Sequence, residues 1–126
     1  DSLRLAQEIQ KRAERPINCF IEVNVSGEES KHGIKPEELH SFIKELADLD
    51  KVKIVGLMTM APYEASQQSV RKIFATLKQL QESVKNQNLQ YAPCTELSMG
   101  MSQDFKTAIE EGATFVRIGT ALFKKG

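Results

Sequence analysis

Residues 19–25 read Cys19-Phe20-Ile21-Glu22-Val23-Asn24-Val25, and their alternation decides the fold. Successive side chains of a strand point to opposite faces. Cys19, Ile21, Val23 and Val25 therefore form one apolar face, while Phe20, Glu22 and Asn24 share the other. The same division recurs further on. Leu97 and Met99 oppose Ser98 and Gly100, and Val116 and Ile118 oppose Arg117 and Gly119. A doubly wound sheet is covered by helices on both faces and carries near-continuous apolar strands. A (β/α)8 barrel keeps its helices outside and gathers polar groups inside, at the C-terminal mouth of the strands. Two-faced strands favour the barrel.

Working outward, the chain is a single alternation of helix and strand. Asp1 and Ser2 are N-cap types for a helix with Leu5, Ala6, Ile9 and Ala13 on one face, stopped at Arg15 by Pro16. After the strand comes a polar loop, Ser26 to Gly33. Pro36 stands near the first turn of a second helix, with Leu39, Phe42, Ile43, Leu46 and Leu49 at helical spacing. Val52 to Met60 is the second strand, closed by Pro62. A long helix follows, its apolar stripe formed by Val70, Ile73, Phe74, Leu77, Leu80 and Val84. Glu96 to Met99 is the third strand. A short helix from about Ser102 to Glu111 buries Phe105, Ala108 and Ile109 and stops at Gly112. Thr114 to Ile118 is the last strand, and Thr120 can cap a final helical turn.

The order α-β-α-β-α-β-α-β implies parallel strands joined by right-handed crossovers. Residues 1–126 thus read as a single α/β domain of about four strands and four helices. A whole barrel takes about 250 residues. The expectation is the C-terminal half of a (β/α)8 TIM-type barrel, and a chain beginning at Asp1 without a methionine is expected to be a fragment.

Composition excludes several classes. Lys and Arg total 17 and Asp and Glu total 17, so there is no basic footprint for nucleic acid and no electrostatic attraction to an anionic membrane. No apolar run reaches the roughly 18 residues of a membrane span. Cys19 and Cys94 lack metal-type spacing, and no His/Cys/Asp cluster suggests a metal. Free thiols in an intracellular, cytoplasmic protein are expected, with one long-range disulfide as the alternative. The serines have no base-and-orienter set for nucleophilic catalysis. His32 reads as a solvated loop residue, and His40 as a surface residue of the second helix.

Two segments can carry chemistry. In Leu97-Ser98-Met99-Gly100-Met101-Ser102 a strand end turns into a helix start, where unpaired amides and the helix dipole favour an anion. In Val116-Arg117-Ile118-Gly119-Thr120-Ala121, Gly119 permits close backbone approach and Thr120 offers a hydroxyl at another helix start. Either turn alone is also what an ordinary N-cap looks like. Two on consecutive strands match the place of barrel phosphate sites. Arg117 on an inner face needs a partner: a ligand, or an ion pair with an inner carboxylate such as Glu22 or Glu96. Glu22 and Asn24 face inward, as ligand contacts or as structural partners. The methionines Met58, Met60, Met99 and Met101 read as core and pocket wall.

At these residues the chain resembles a known family. Ile21 to Ser26, Ser30-Lys31-His32-Gly33-Ile34, Gly56-Leu57-Met58-Thr59-Met60, Leu97 to Asp104 and Val116 to Phe123 resemble, in order, the YggS/PROSC family. These are pyridoxal 5′-phosphate (PLP) homeostasis proteins with a barrel of the alanine racemase N-terminal-domain type. The resemblance implies that Ser98, Met99, Ser102, Gly119 and Thr120 hold the cofactor phosphate, that Arg117 faces the pyridine nitrogen, and that Met58 lines the pocket near the ring. A cation opposite that nitrogen disfavours its protonation and makes the ring a poorer electron sink, which suits holding PLP rather than stabilising a carbanion. It also implies a Schiff-base lysine near the first barrel strand, in an N-terminal half that this chain lacks. Lys53 shares parity with Leu57 and should face outward, opposite to Met58. PLP, or a phosphate or sulfate ion, is thus expected to bind non-covalently. The missing half or a second copy is needed to complete the barrel. The function implied is non-catalytic cofactor binding in vitamin B6 homeostasis; the alternative is a barrel piece of a PLP racemase or decarboxylase.

Overall fold

The computed structural model describes residues 2–25, 33–60, 66–100 and 115–118; for 99–100 and 115–118 the backbone alone is described. Helix α1 spans Ser2–Arg12 and strand β1 spans Ile17–Glu22. A 3-10 turn, Pro36–Glu38, leads into helix α2, Leu39–Glu45. Strand β2 is Val52–Met60, helix α3 is Gln67–Lys85, strand β3 is Glu96–Gly100 and strand β4 is Phe115–Ile118. The expected short helix of 102–111 and the turn at Thr120 lie outside the described residues.

Differences from the sequence reading have local causes. Helix α1 stops at Arg12, three residues before the position that Pro16 constrains. Strand β1 begins two residues earlier than its apolar alternation and ends at Glu22. Beyond it the pairing changes partner, and Val23 bridges Ile34. Helix α3 starts at Ser66, whose side chain accepts from the Ser69 amide, a capping bond that spares an orphan donor. Phe74, expected in the buried stripe of α3, is instead 39% exposed, because only Ile73, Leu77, Gln81 and Val84 turn fully inward.

All neighbouring strands are parallel. One core joins Ala6 and Ile9 of α1, Leu39, Phe42 and Ile43 of α2, and Leu77 and Val84 of α3 to Cys19, Ile21, Val52, Ile54 and Leu57 of the sheet. These helices thus share a single face of the sheet, as the outer layer of a barrel does. Phe20, Glu22 and Met58 are buried on the opposite face, outside that cluster.

The sheet order is β3-β2-β1-β4. Half a barrel read strand by strand would seat β4 beyond β3. Here β4 pairs with the free edge of β1 instead, so that the amides and carbonyls of β1 are used on both sides.

Between Cys19 and Phe20 the β1–β2 register slips: Cys19 opposes Ile54, whereas Phe20 opposes Gly56. Val55 is the extra residue of this bulge. Simple parity therefore fails within β2, and Ile54 and Leu57 both enter the helix-covered core. The bulge also corrects the reading of Lys53. It opposes Asn18 and so lies on the same face as Phe20 and Met58, exposed, at the N-terminal end of the strand.

Candidate functional site

The register assembles the face away from the helices in rows. Glu22, Met58 and Ser98 form one row across three strands. Arg117, Phe20, Gly56 and Glu96 form the row below it, across four. Met58 is 4% exposed and presents a thioether wall at the centre of the sheet, while Ser98 is half-buried on the edge strand. Met99 opposes Thr59 one step further up. Arg117 occupies the opposite edge from Ser98, three strand spacings or about 14 Å away. Of the two carboxylates weighed as partners for Arg117, Glu22 stands on the adjacent strand and Glu96 on the far edge. Ser102, Gly119 and Thr120 lie outside the described residues. The structure thus brings Met58 and Ser98 into one row and sets Arg117 at the other edge.

What fixes these strand ends is a set of contacts that residue typing alone missed. The Val23 amide donates to the Met58 carbonyl (2.8 Å), and the buried Thr59 hydroxyl donates to the Val23 carbonyl (2.7 Å). On the other edge of β1, the Ile34 amide donates to the Glu22 carbonyl (2.8 Å), and the Asn24 amide to the Ile34 carbonyl (2.9 Å). Gly33 makes this return possible. Its φ is +91°, and a Cβ there would stand 2.8 Å from the Asn24 amide nitrogen. The glycine of Lys31-His32-Gly33-Ile34 thus has a backbone reason. Its signal in the sequence was the glycine itself, at the end of a polar loop.

Neither thiol belongs to the site. Cys19 and Cys94 are both free and wholly buried, and burial pushes each thiol from the ordinary 9.0 up to about 12, against a weaker lowering at Cys19 from the Lys53 amide. Among the described residues no group of three His, Cys, Asp or Glu side chains could hold a metal ion. His40, read as a surface residue, is exposed and bridges two helices: its ring meets the Ser83 hydroxyl at 3.1 Å and the Gln87 amide at 2.6 Å.

The face therefore offers a hydroxyl and an apolar wall near the strand C-termini. Residues 1–125 match the family described as alanine racemase, N-terminal domain. The pyridoxal phosphate homeostasis protein of Aquifex aeolicus is 47% identical over 126 residues, covering 98% of this chain and 54% of that protein. The one from Schizosaccharomyces pombe is 36% identical, covering 95% and 50%. The chain thus spans about half the length of the curated relatives it matches. Among solved structures, PipY of Synechococcus elongatus with PLP bound matches at a TM-score of 0.66 and 32% identity, over 98% of this chain and 58% of that one. The same protein without PLP matches at 0.70. An alanine racemase from Corynebacterium glutamicum, 18% identical at a TM-score of 0.50, shares the fold.

Proposed function

The chain belongs to the alanine racemase N-terminal-domain family, and from that premise we propose that it is the PLP-binding part of a cytoplasmic vitamin B6 homeostasis protein, a carrier or regulator of the cofactor rather than an enzyme. The observation that carries this reading is the likeness over 98% of the chain to PipY, whose solved structure holds PLP.

In this reading, once the closed barrel of the longer protein seats β4 beside β3, Ser98, Met99, Ser102, Gly119 and Thr120 hold the phosphate at two helix-start turns, Arg117 faces the pyridine nitrogen, and Met58 packs on the ring. The bound cofactor supplies an electrophilic carbonyl on an electron-withdrawing ring. The residues of this chain bind the anion, orient the ring and keep water from its Met58 side. Lys53, although on the ligand face, stands five residues below Met58, about 16 Å along the strand, too far to meet a ring held there. In this reading binding by this chain is non-covalent. The covalent lysine and the closing strands come from the remainder of a longer protein of the relatives' length, or a second copy closes the barrel.

The test is a titration with PLP followed by absorbance, with inorganic phosphate as competitor. Saturable binding is expected, weakened about tenfold by Ser102→Ala or by Thr120→Val through loss of one charge-assisted hydrogen bond. Borohydride reduction and intact-mass analysis should give no adduct on a single lysine in high yield, and alanine should not racemise. Absence of saturable binding, or racemase turnover, would overturn the reading.

A further inference from the structure

Among the described strands, β4 alone lies out of sequence order. Strands β1, β2 and β3 follow one another across the sheet, whereas β4 crosses back to the outer edge of β1. Its residues Phe115 to Ile118 all pair there, against Asn18 to Ile21. Strand β3 pairs with β2 through Glu96 to Gly100, and among the described residues no strand stands on its outer side. The sheet therefore has two edges of the same polarity. A parallel β4 fits either by sliding sideways, without reversing direction or exchanging faces. The chain is long enough for both. Residues 101–114 join Gly100 to Phe115, and a connection of that length spans up to about 46 Å when extended, against about 14 Å for three strand spacings.

The seat of β4 decides whether the site's two halves meet. On β1, the end of β4 at Ile118 stands three spacings, about 14 Å, from the end of β3 at Gly100; on β3 the separation is one spacing, about 5 Å. A single phosphate accepting hydrogen bonds of about 2.9 Å on two sides spans about 8 Å. It meets the turns after both strands only with β4 on β3, and the same move brings the Arg117 position beside Ser98. Barrel closure imposes that seat, because it pairs β1 with another parallel strand and leaves β3 to β4. Resting on the reading of this face as the PLP site, we propose that β4 is an exchangeable strand whose seat couples cofactor binding to completion of the barrel. The partner is a parallel strand from the remainder of a longer protein, pairing the β1 edge that β4 covers here. Such coupling is reciprocal: the strand that takes β1 tightens the cofactor, and the cofactor loosens β4 from β1.

The chain carrying Asn18→Cys and Phe115→Cys tests this, since the two positions oppose each other and their disulfide locks β4 on β1. PLP titration followed by absorbance should give wild-type binding in the reduced variant. In the oxidised variant binding should be weakened about tenfold or more, the scale of the charge-assisted hydrogen bonds lost with the second turn. The single Asn18→Cys variant under the same oxidant is the control. A second measurement uses the wild-type chain and serves if the double variant does not fold. With PLP at saturation, amide exchange should slow in Glu96–Gly100 and quicken in Ile17–Glu22, the strand that β4 leaves. Unchanged or slower exchange in β1 overturns the proposal, as does equal binding to the oxidised and reduced variants; either result leaves the PLP-site reading standing. A disulfide that does not form in the folded variant also overturns it. Absence of binding to both wild type and the reduced variant overturns both readings.

Discussion

A glycine and two thiols carry the sharpest consequences at the scale of single residues. At Gly33 an alanine would combine a left-handed backbone with a Cβ pressed to 2.8 Å from the Asn24 nitrogen. Gly33→Ala should cost about 1–3 kcal/mol, read as a lower urea midpoint at unchanged slope. Cys19 and Cys94 are protonated and buried, so a thiol reagent at pH 8 should react with neither until the chain is denatured. The linkage has a definite sign. Each folded thiol titrates near 12 against 9.0 when unfolded, so the stability they contribute is complete below pH 9 and falls as pH rises from 9 towards 12. Melting temperatures from pH 8 to 11 should decline, and less steeply in Cys94→Ala than in wild type. A flat profile would show that the thiols ionise without unfolding.

Individual elements show where local patterning suffices and where it fails. Strand β2 runs from Val52 to Met60 as its apolar stretch indicates, yet its faces do not follow strict alternation, because Val55 bulges. Nothing in Val52-Lys53-Ile54-Val55-Gly56 announces a bulge. It arises from matching β1 on one side and the Cys94 turn on the other, where the Cys94 amide donates to the Ile54 carbonyl. Gly56 is needed at this point, since a Cβ there would collide with the Glu96 backbone of β3. Gly56→Ala should therefore loosen the β2–β3 pairing specifically, seen as faster amide exchange in residues 96–98 than in α1. At helix α3, Ser66→Ala removes the capping acceptor and should cost about 0.5–2 kcal/mol in a denaturant titration.

At the scale of the whole molecule, the strand order is the feature with most leverage. With β4 beside β1, Asn18 opposes Phe115 across a parallel pair, and β3 and β4 are the outer strands of the described sheet. A chain carrying N18C and F115C should close a disulfide under mild oxidation, detected by a mass loss of about 2 Da and a shift on a non-reducing gel. Failure of that bond, with the variant folded, would show that β4 lies elsewhere in solution. Adding the remainder of a barrel would compete for the same β1 edge, since a closed barrel leaves no edge unpaired.

The sequence by itself determined the parallel α/β class, the position of each described strand to within a few residues, and the division between a helix-covered face and the face opposite it. It did so because side-chain alternation and helical spacing are local properties that survive in any packing. The placement of Met58 and Ser98 in a common row followed from the same alternation once the strands paired. Three features were decided by tertiary structure alone: the bulge at Val55, which turned Lys53 to the face of Phe20 and Met58; the exposure of Phe74; and the seating of β4 on β1 rather than β3. Each depends on which backbone edges and surfaces meet across long sequence separations. A strand's own residues state which side is apolar, but not which neighbour takes up its hydrogen bonds.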